Sequence, residues 1–219
     1  MKRPIAAAVG VFLMCLACAS TLQAGVVATS GDVVLEPPPR SVKVNEYESN
    51  AAIRMFAEQA DIVLPVEVSV DISLPGTCDE SADVTPDVIS AGTVVSSYFL
   101  HFDPDTETIS LQGTATFDET ILGLIVYHGG LNASDGILGA DRSPLEGTHY
   151  PVNIYRGFAF QGDGCTACDS VILSSDRRSI SVHVQGGGAV DQLRVITPEP
   201  ATLALLAVGG VLLIRRRGA

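Results

Sequence analysis

The chain has 219 residues, of which 47% are apolar and 17% are charged, and its formal net charge is −12. This length corresponds to one domain or two small ones, and the apolar fraction argues against a wholly disordered chain. The excess of acidic side chains argues against a nucleic-acid-binding protein, since contacts with phosphates require a basic face.

The N-terminal segment has the three parts of a secretory signal peptide, which implies export by the Sec pathway. Positive charges lie within 1–3, an apolar run covers 4–19, and small residues follow. We predict cleavage between Ala24 and Gly25, with cleavage after Ala19 as the alternative. The segment fits two other interpretations less well. A retained membrane anchor would need a longer apolar run to span the bilayer, and a lipoprotein signal would need a lipobox, which neither cysteine of the run has.

Residues 25–197 then form an acidic body. Without the five basic residues and the glutamate of the two ends, 8 basic and 24 acidic residues remain, which gives a net charge of −16. Such a charge keeps an exported domain soluble and disfavours anionic partners. A surface that collects divalent cations or meets a cationic polymer is one interpretation, and a solvated acidic surface is the simpler one.

Alternation of apolar and polar side chains predicts strands in the first half of this body. After an extended lead over 31–40, strands are predicted at 51–60, where helix propensity is the competing signal, and at 66–72. Residues 94–102 are apolar on both faces, which is typical of a strand covered on both sides. Residues 109–117 have one apolar face and predict a half-buried strand.

The second half of the body predicts turns, a hairpin and a last strand. Glycine- and aspartate-containing pairs within 128–136 indicate turns. A hairpin is predicted at 171–184, with its tip near Asp176, and a last strand at 193–196 leads directly into the tail. Short strands without a strong helical period indicate an all-β fold: one domain over 25–197, an antiparallel β-sandwich of jelly-roll-like type.

The C-terminal tail, residues 198–219, combines a short motif, an apolar segment and a basic end. As a helix, its fourteen apolar residues reach about 21 Å, which makes a single transmembrane helix marginal against a hydrocarbon core of ~30 Å. The basic end stays on the cytoplasmic side and places the body outside the inner membrane. The parts are the motif Pro198, Glu199 and Pro200, the segment 201–214, and the stop-transfer residues Arg215, Arg216 and Arg217.

This order of motif, short apolar helix and terminal arginines resembles the PEP-CTERM sorting signal of Gram-negative bacteria. The resemblance implies recognition by an exosortase, a membrane-embedded enzyme similar to Cys transpeptidases, which cuts near the motif and delivers the protein to the cell surface. Families with this tail are associated with exopolysaccharide and biofilm matrix. Parts of the body, such as 96–104 and 113–123, resemble PEP-CTERM proteins of unknown function. This resemblance implies a fold and a cellular localisation but no activity. The alternative is an ordinary membrane anchor.

The body keeps three cysteines, Cys78, Cys165 and Cys168, in a compartment that permits disulfides. The CxxC pair lies in a glycine-rich loop and not before a helix, which argues against a redox motif. Zinc requires about four ligands, and no second paired motif supplies them. We predict a structural disulfide, either between Cys78 and one member of the pair or within the pair.

Acidic turns are the candidate metal ligands. Asp103, Asp105 and Asp135 place oxygen atoms on turns, as a calcium site requires, although the runs lack EF-hand spacing and such residues also form turns unaided. No nucleophile elbow, phosphate loop or zinc-protease motif occurs. We therefore expect a protein without a cofactor that is not an enzyme; an enzyme would require a cleft with two facing carboxylates.

The sequence as a whole predicts an exported cell-surface or extracellular-matrix protein with a structural or adhesive role. Its expected partners are the exosortase, the inner membrane during sorting and exopolysaccharide, but not nucleic acid. The alternative is a carbohydrate- or calcium-binding module of the exopolysaccharide matrix. An exposed row of aromatic side chains would favour sugar binding, and their burial would count against it; the candidates are Tyr127, Tyr150, Tyr155 and Phe158.

Overall fold

The computed structural model describes residues 25–105, 109–140, 147–152, 154, 156–161, 168–186 and 190–199. Within these ranges the fold is all-β, as predicted, with twelve strands, one α-helix and a 3-10 turn at Ser81–Asp83. The elements are β1 Val26–Gly31, β2 Val33–Leu35, β3 Ile53–Val63, β4 Val68–Val70, β5 Gly76–Cys78, β6 Asp87–Ile89, β7 Val94–Phe102, β8 Ser110–Phe117, β9 Gly123–Ile125, α1 His128–Leu138, β10 Ser170–Leu173, β11 Ser179–Gln185 and β12 Asp191–Pro198.

Most of the strands belong to two five-stranded sheets. The first sheet has the order β1-β8-β11-β10-β5, the second sheet has the order β2-β3-β7-β12-β9, and β4 and β6 form a small separate pair. The strand pairs are antiparallel except for β2 and β3, which run parallel. The hairpin predicted at 171–184 is confirmed as β10 and β11, and Arg177 near its tip has a positive φ of 56°.

One apolar cluster takes side chains from both five-stranded sheets. Leu100 and Leu193 of the second sheet are buried in it with Phe117 and Val182 of the first sheet. The ring of Tyr98 meets the edge of Phe117 at a centroid distance of 5.2 Å. Burial of these apolar faces against each other is the main force that holds the two sheets together.

A second apolar cluster covers the opposite face of the second sheet. Phe56, Phe99 and Ile196 contribute from the strands, and Leu131 and Leu138 contribute from α1. The second sheet is therefore covered on both faces. This explains why β7 is apolar on both sides and is buried from Val95 to Phe102.

The sequence prediction missed the helix α1, because its glycines indicated turns, and it did not predict the strands β1, β2, β5, β6 and β9 either. Glycine disfavours a helix by about 1 kcal/mol relative to alanine, but Leu131 and Leu138 are buried against the second sheet and hold the segment in place. Gly130 has a packing role, since a Cβ there would lie 2.6 Å from Cγ2 of Ile125. Asp71 fixes the start of α1 by accepting the backbone N–H groups of residues 126 and 127.

Candidate functional site

The end of β12 carries the first part of the predicted sorting motif. Pro198 pairs with Val95 of β7, and the backbone N–H of Glu199 donates to the carbonyl of Val94 at 3.2 Å. Proline cannot donate to a ladder, and Pro198 stands at the last strand position, where that loss is tolerated. Pro200 lies outside the described residues, as do 201–219.

The Glu199 carboxylate has two further donors from neighbouring strands of the second sheet. Its Oε1 accepts the backbone N–H of Asp61 at 2.8 Å and the hydroxyl of Ser96. Ser96 is almost completely buried. Asp61 has a positive φ of 58° and lies where the register of β3 shifts between Gln59 and Ile62. This irregularity leaves the Asp61 amide available to Glu199.

The predicted signal-peptide cleavage site lies at the start of the described residues. The backbone nitrogen of Gly25 donates to Oδ1 of Asp118 at 2.7 Å, and β1 begins at the next residue. Ala24 lies outside the described residues, as do Arg215, Arg216 and Arg217. In the described ranges no helix is both long and apolar enough to cross a membrane.

A buried ionic cluster of Glu58, Asp135, Arg156 and Arg194 lies between α1 and the second sheet. Arg194 forms a bidentate pair with Glu58, with both N–O distances at 2.7 Å, and its Nη2 also donates to Asp135 at 3.0 Å. Arg156 donates to the other Asp135 oxygen at 2.6 Å. Burial alone would lower the pKa of Arg194, but Glu58 and Asp135 raise it above its ordinary value.

The ionic cluster assigns a structural role to one calcium candidate. The two Asp135 oxygens bind the two arginines. The cluster is therefore balanced in charge, and the Asp135 oxygens already have cationic partners within the protein. Asp103 and Asp105 are not part of the ionic cluster.

Asp103 is buried and accepts the backbone N–H of Asn45 at 2.7 Å. Burial raises the pKa of Asp103. Asp105 bonds Asn50.

No group of three or more His, Cys, Asp or Glu side chains within the described ranges is arranged to hold a metal ion. The aromatic candidates do not form an exposed row either. Tyr150 and Phe158 are buried, and Tyr127 is half-buried and packs against Phe160 at 5.8 Å between ring centroids. Tyr155 lies outside the described residues.

The cysteines separate into one free thiol and one disulfide-bonded residue. Cys78 is free and buried, and burial raises the pKa of its thiol to about 12. Cys168 is disulfide-bonded. Because Cys78 is free, the alternative that paired Cys78 with one member of the CxxC pair is wrong. Cys165 lies outside the described residues.

Two buried carboxyl groups, Asp169 and Asp191, interact with each other, and no sequence pattern predicted this pair. Asp169 accepts the backbone N–H groups of Ala159 at 2.7 Å and Gln185 at 3.1 Å. Asp191 of β12 is 6% exposed, and its Oδ2 has no hydrogen-bond donor. Burial and the facing carboxylate of Asp169 raise the pKa of Asp191 well above its ordinary value.

The outer face of the first sheet carries an open depression of about 450 Å³. Side chains from four neighbouring strands line it, among them Ser30, Gln112, Thr114, Ser170 and Ser181. Its lining contains no Asp, Glu, Lys or Arg, although the body is strongly acidic. Thr114 and Ser181 bond to each other at 2.9 Å. The depression therefore offers hydroxyl and amide groups without formal charge.

Comparison of the chain with protein-family models, with curated proteins and with solved structures found no match. The functional conclusion therefore depends on the residues and contacts described above.

Proposed function

We propose that this protein is exported by the Sec pathway, sorted by an exosortase through its PEP-CTERM tail, and displayed at the cell surface or in the extracellular matrix. The observation that carries the proposal is the order of Pro198–Pro200, the apolar segment 201–214 and three terminal arginines. A signal-peptide-like segment precedes the body. The role of the body is structural or adhesive, and its two sheets form a jelly-roll-like β-sandwich.

The connections at both ends of the body support this proposal. Gly25 enters β1 directly, and a free α-ammonium group at that residue would gain an ion pair with Asp118. At the other end, β12 carries the chain from the core to Pro198 without an intervening loop. A body of this kind remains folded when segments are removed beyond 25 and 199, because its strands lie between those positions.

Four of the described carboxyl groups support the structural role in this proposal. Glu58 and Asp135 are neutralised by arginines, and Asp169 and Asp191 are buried. Catalytic carboxylates must reach a substrate in a cleft. These four carboxyl groups instead contribute to the interior of the body.

A shortened chain that ends after Pro200 tests directly whether the tail determines the localisation of the protein. If the tail directs sorting, the shortened protein loses surface labelling and accumulates in soluble form in the periplasm, whereas the full chain is labelled at the surface. Equal surface labelling of the two proteins would contradict the proposal. A folded-state check by limited proteolysis of both proteins separates mislocalisation from misfolding.

The uncharged depression on the first sheet favours a second candidate function, binding of a neutral polysaccharide. Its hydroxyl and amide groups match the hydroxyl groups of a sugar, and its lack of charged side chains disfavours an ionic ligand. The burial of Tyr150 and Phe158 removes them as stacking platforms. Affinity electrophoresis in the host's exopolysaccharide tests this candidate: Thr114→Trp, which fills the depression, should abolish any retardation of the protein.

A further inference from the structure

Three hydrogen bonds tie Glu199 to the second sheet. Its N–H donates to the carbonyl of Val94 at 3.2 Å, and its carboxylate accepts the N–H of Asp61 and the hydroxyl of Ser96. Hydrogen bonds to a charged group are stronger than those between neutral groups. The burial of Ser96 also means that its hydroxyl would lose a partner if Glu199 left.

These contacts hold a carboxylate in a defined place. The positive φ of Asp61 points its amide out of the β3 ladder, and Ser96 supplies a second donor from β7. Among the described contacts, no basic side chain pairs with the Glu199 carboxylate. The carboxylate therefore depends on the Asp61 amide and the Ser96 hydroxyl as its donors. The result is an intramolecular carboxylate site with Glu199 as its occupant.

We propose that this carboxylate site, formed by Ser96 and the Asp61 amide, holds the sorting motif against the body, so that processing of the tail requires release of Glu199. The inference rests on the proposed sorting function. A peptide-cutting enzyme acts on extended backbone that it can pair with or enclose, but Pro198 and Glu199 are already bonded to β7.

Release requires only a small local opening. Residues 191–197 of β12 are buried, whereas Pro198 and Glu199 are half-buried. Pro198 has no N–H to lose. Detachment beyond Thr197 therefore breaks mainly the three bonds of Glu199, and such end fraying costs far less than global unfolding.

Ser96→Ala removes one donor without changing the motif, and Ser175→Ala is the matched control, because Ser175 is exposed in the turn between β10 and β11 of the first sheet. Hydrogen exchange is measured on the full chain with its tail, produced in cells without an exosortase and kept in detergent. We expect exchange of the Glu199 and Asp61 amides to rise roughly tenfold or more in Ser96→Ala and to stay unchanged in Ser175→Ala. Exchange in β11 reports whether each variant is folded.

The same variants are followed by pulse-chase in the protein's own host. Faster conversion of Ser96→Ala than of the wild type and of Ser175→Ala supports the proposal. Unchanged exchange, or raised exchange with an unchanged conversion rate, would overturn it. If all three chains keep their tails, the result contradicts the proposed sorting function and, with it, the release step. The hydrogen-exchange result then still shows whether Ser96 and the Asp61 amide hold Glu199.

Discussion

At the scale of single residues, the ionic cluster places two arginines and two carboxylates in the interior of the body. Removal of one partner from a buried pair leaves the other charge without compensation. We predict that Arg194→Met lowers the free energy of unfolding by about 3–5 kcal/mol, measured by urea unfolding. Arg54→Met is the control: Arg54 pairs with Glu36 at a partly exposed site, so the loss should stay below about 1 kcal/mol. Equal losses would contradict the structural role of the cluster.

The carboxyl pair of Asp169 and Asp191 predicts a distinct pH dependence. Burial raises the pKa of Asp169 to about 6 and that of Asp191 well above its ordinary value. Since both folded-state values exceed the unfolded value of about 3.9, the pair contributes stability that is present below that value and is lost as the pH rises through about 6.

Asp191→Asn removes the part of this dependence that comes from Asp191, because the asparagine side chain stays neutral at every pH, while Asp169 keeps the part that comes from its own burial. We expect the variant to gain stability relative to the wild type as the pH rises from 4 to 8, measured by urea unfolding at each pH. Asp176→Asn at the exposed hairpin tip is the control, since the pKa of Asp176 is lowered by its hydrogen bonds to Ser174 and to the backbone of Arg178. A difference between Asp191→Asn and the wild type that does not change with pH would contradict the assignment.

At the scale of elements, the strands could be predicted where alternation and burial agree. The strand prediction at 51–60 is confirmed by β3, and 94–102 coincides with β7. The helix α1 could not be predicted because its stability comes from packing against the second sheet and not from its own residues. The i, i+7 spacing of Leu131 and Leu138 was the available signal, and the glycines outweighed it.

The two kinds of glycine in α1 provide a test of this account. Gly130 packs against Ile125, whereas a Cβ at Gly136 would meet nothing within 4 Å. We predict that Gly130→Ala destabilises the protein by about 1–3 kcal/mol through overpacking, and that Gly136→Ala stabilises it by roughly 0.5–1 kcal/mol through helix propensity. Thermal unfolding of both variants measures the two effects. Stabilisation by both substitutions would show that α1 does not pack closely on the second sheet.

At the scale of the whole molecule, the sequence predicted the all-β fold but not the interior polar contacts. Glu58 and Arg194 are 136 positions apart, and no local pattern connects them. The same holds for Glu199 and Asp61, 138 positions apart. Such pairs follow from the order of strands in the second sheet, which periodicity alone does not determine.

A sorting signal is removed outside the inner membrane, whereas an ordinary anchor stays in it. Intact mass of the protein recovered from membrane, periplasmic and extracellular fractions of its own host distinguishes the two. We expect a chain that begins at Gly25, ends near Pro198–Pro200 and lies outside the inner membrane. A chain that keeps Arg215, Arg216 and Arg217 and stays in the inner membrane would contradict it and make the tail an ordinary anchor.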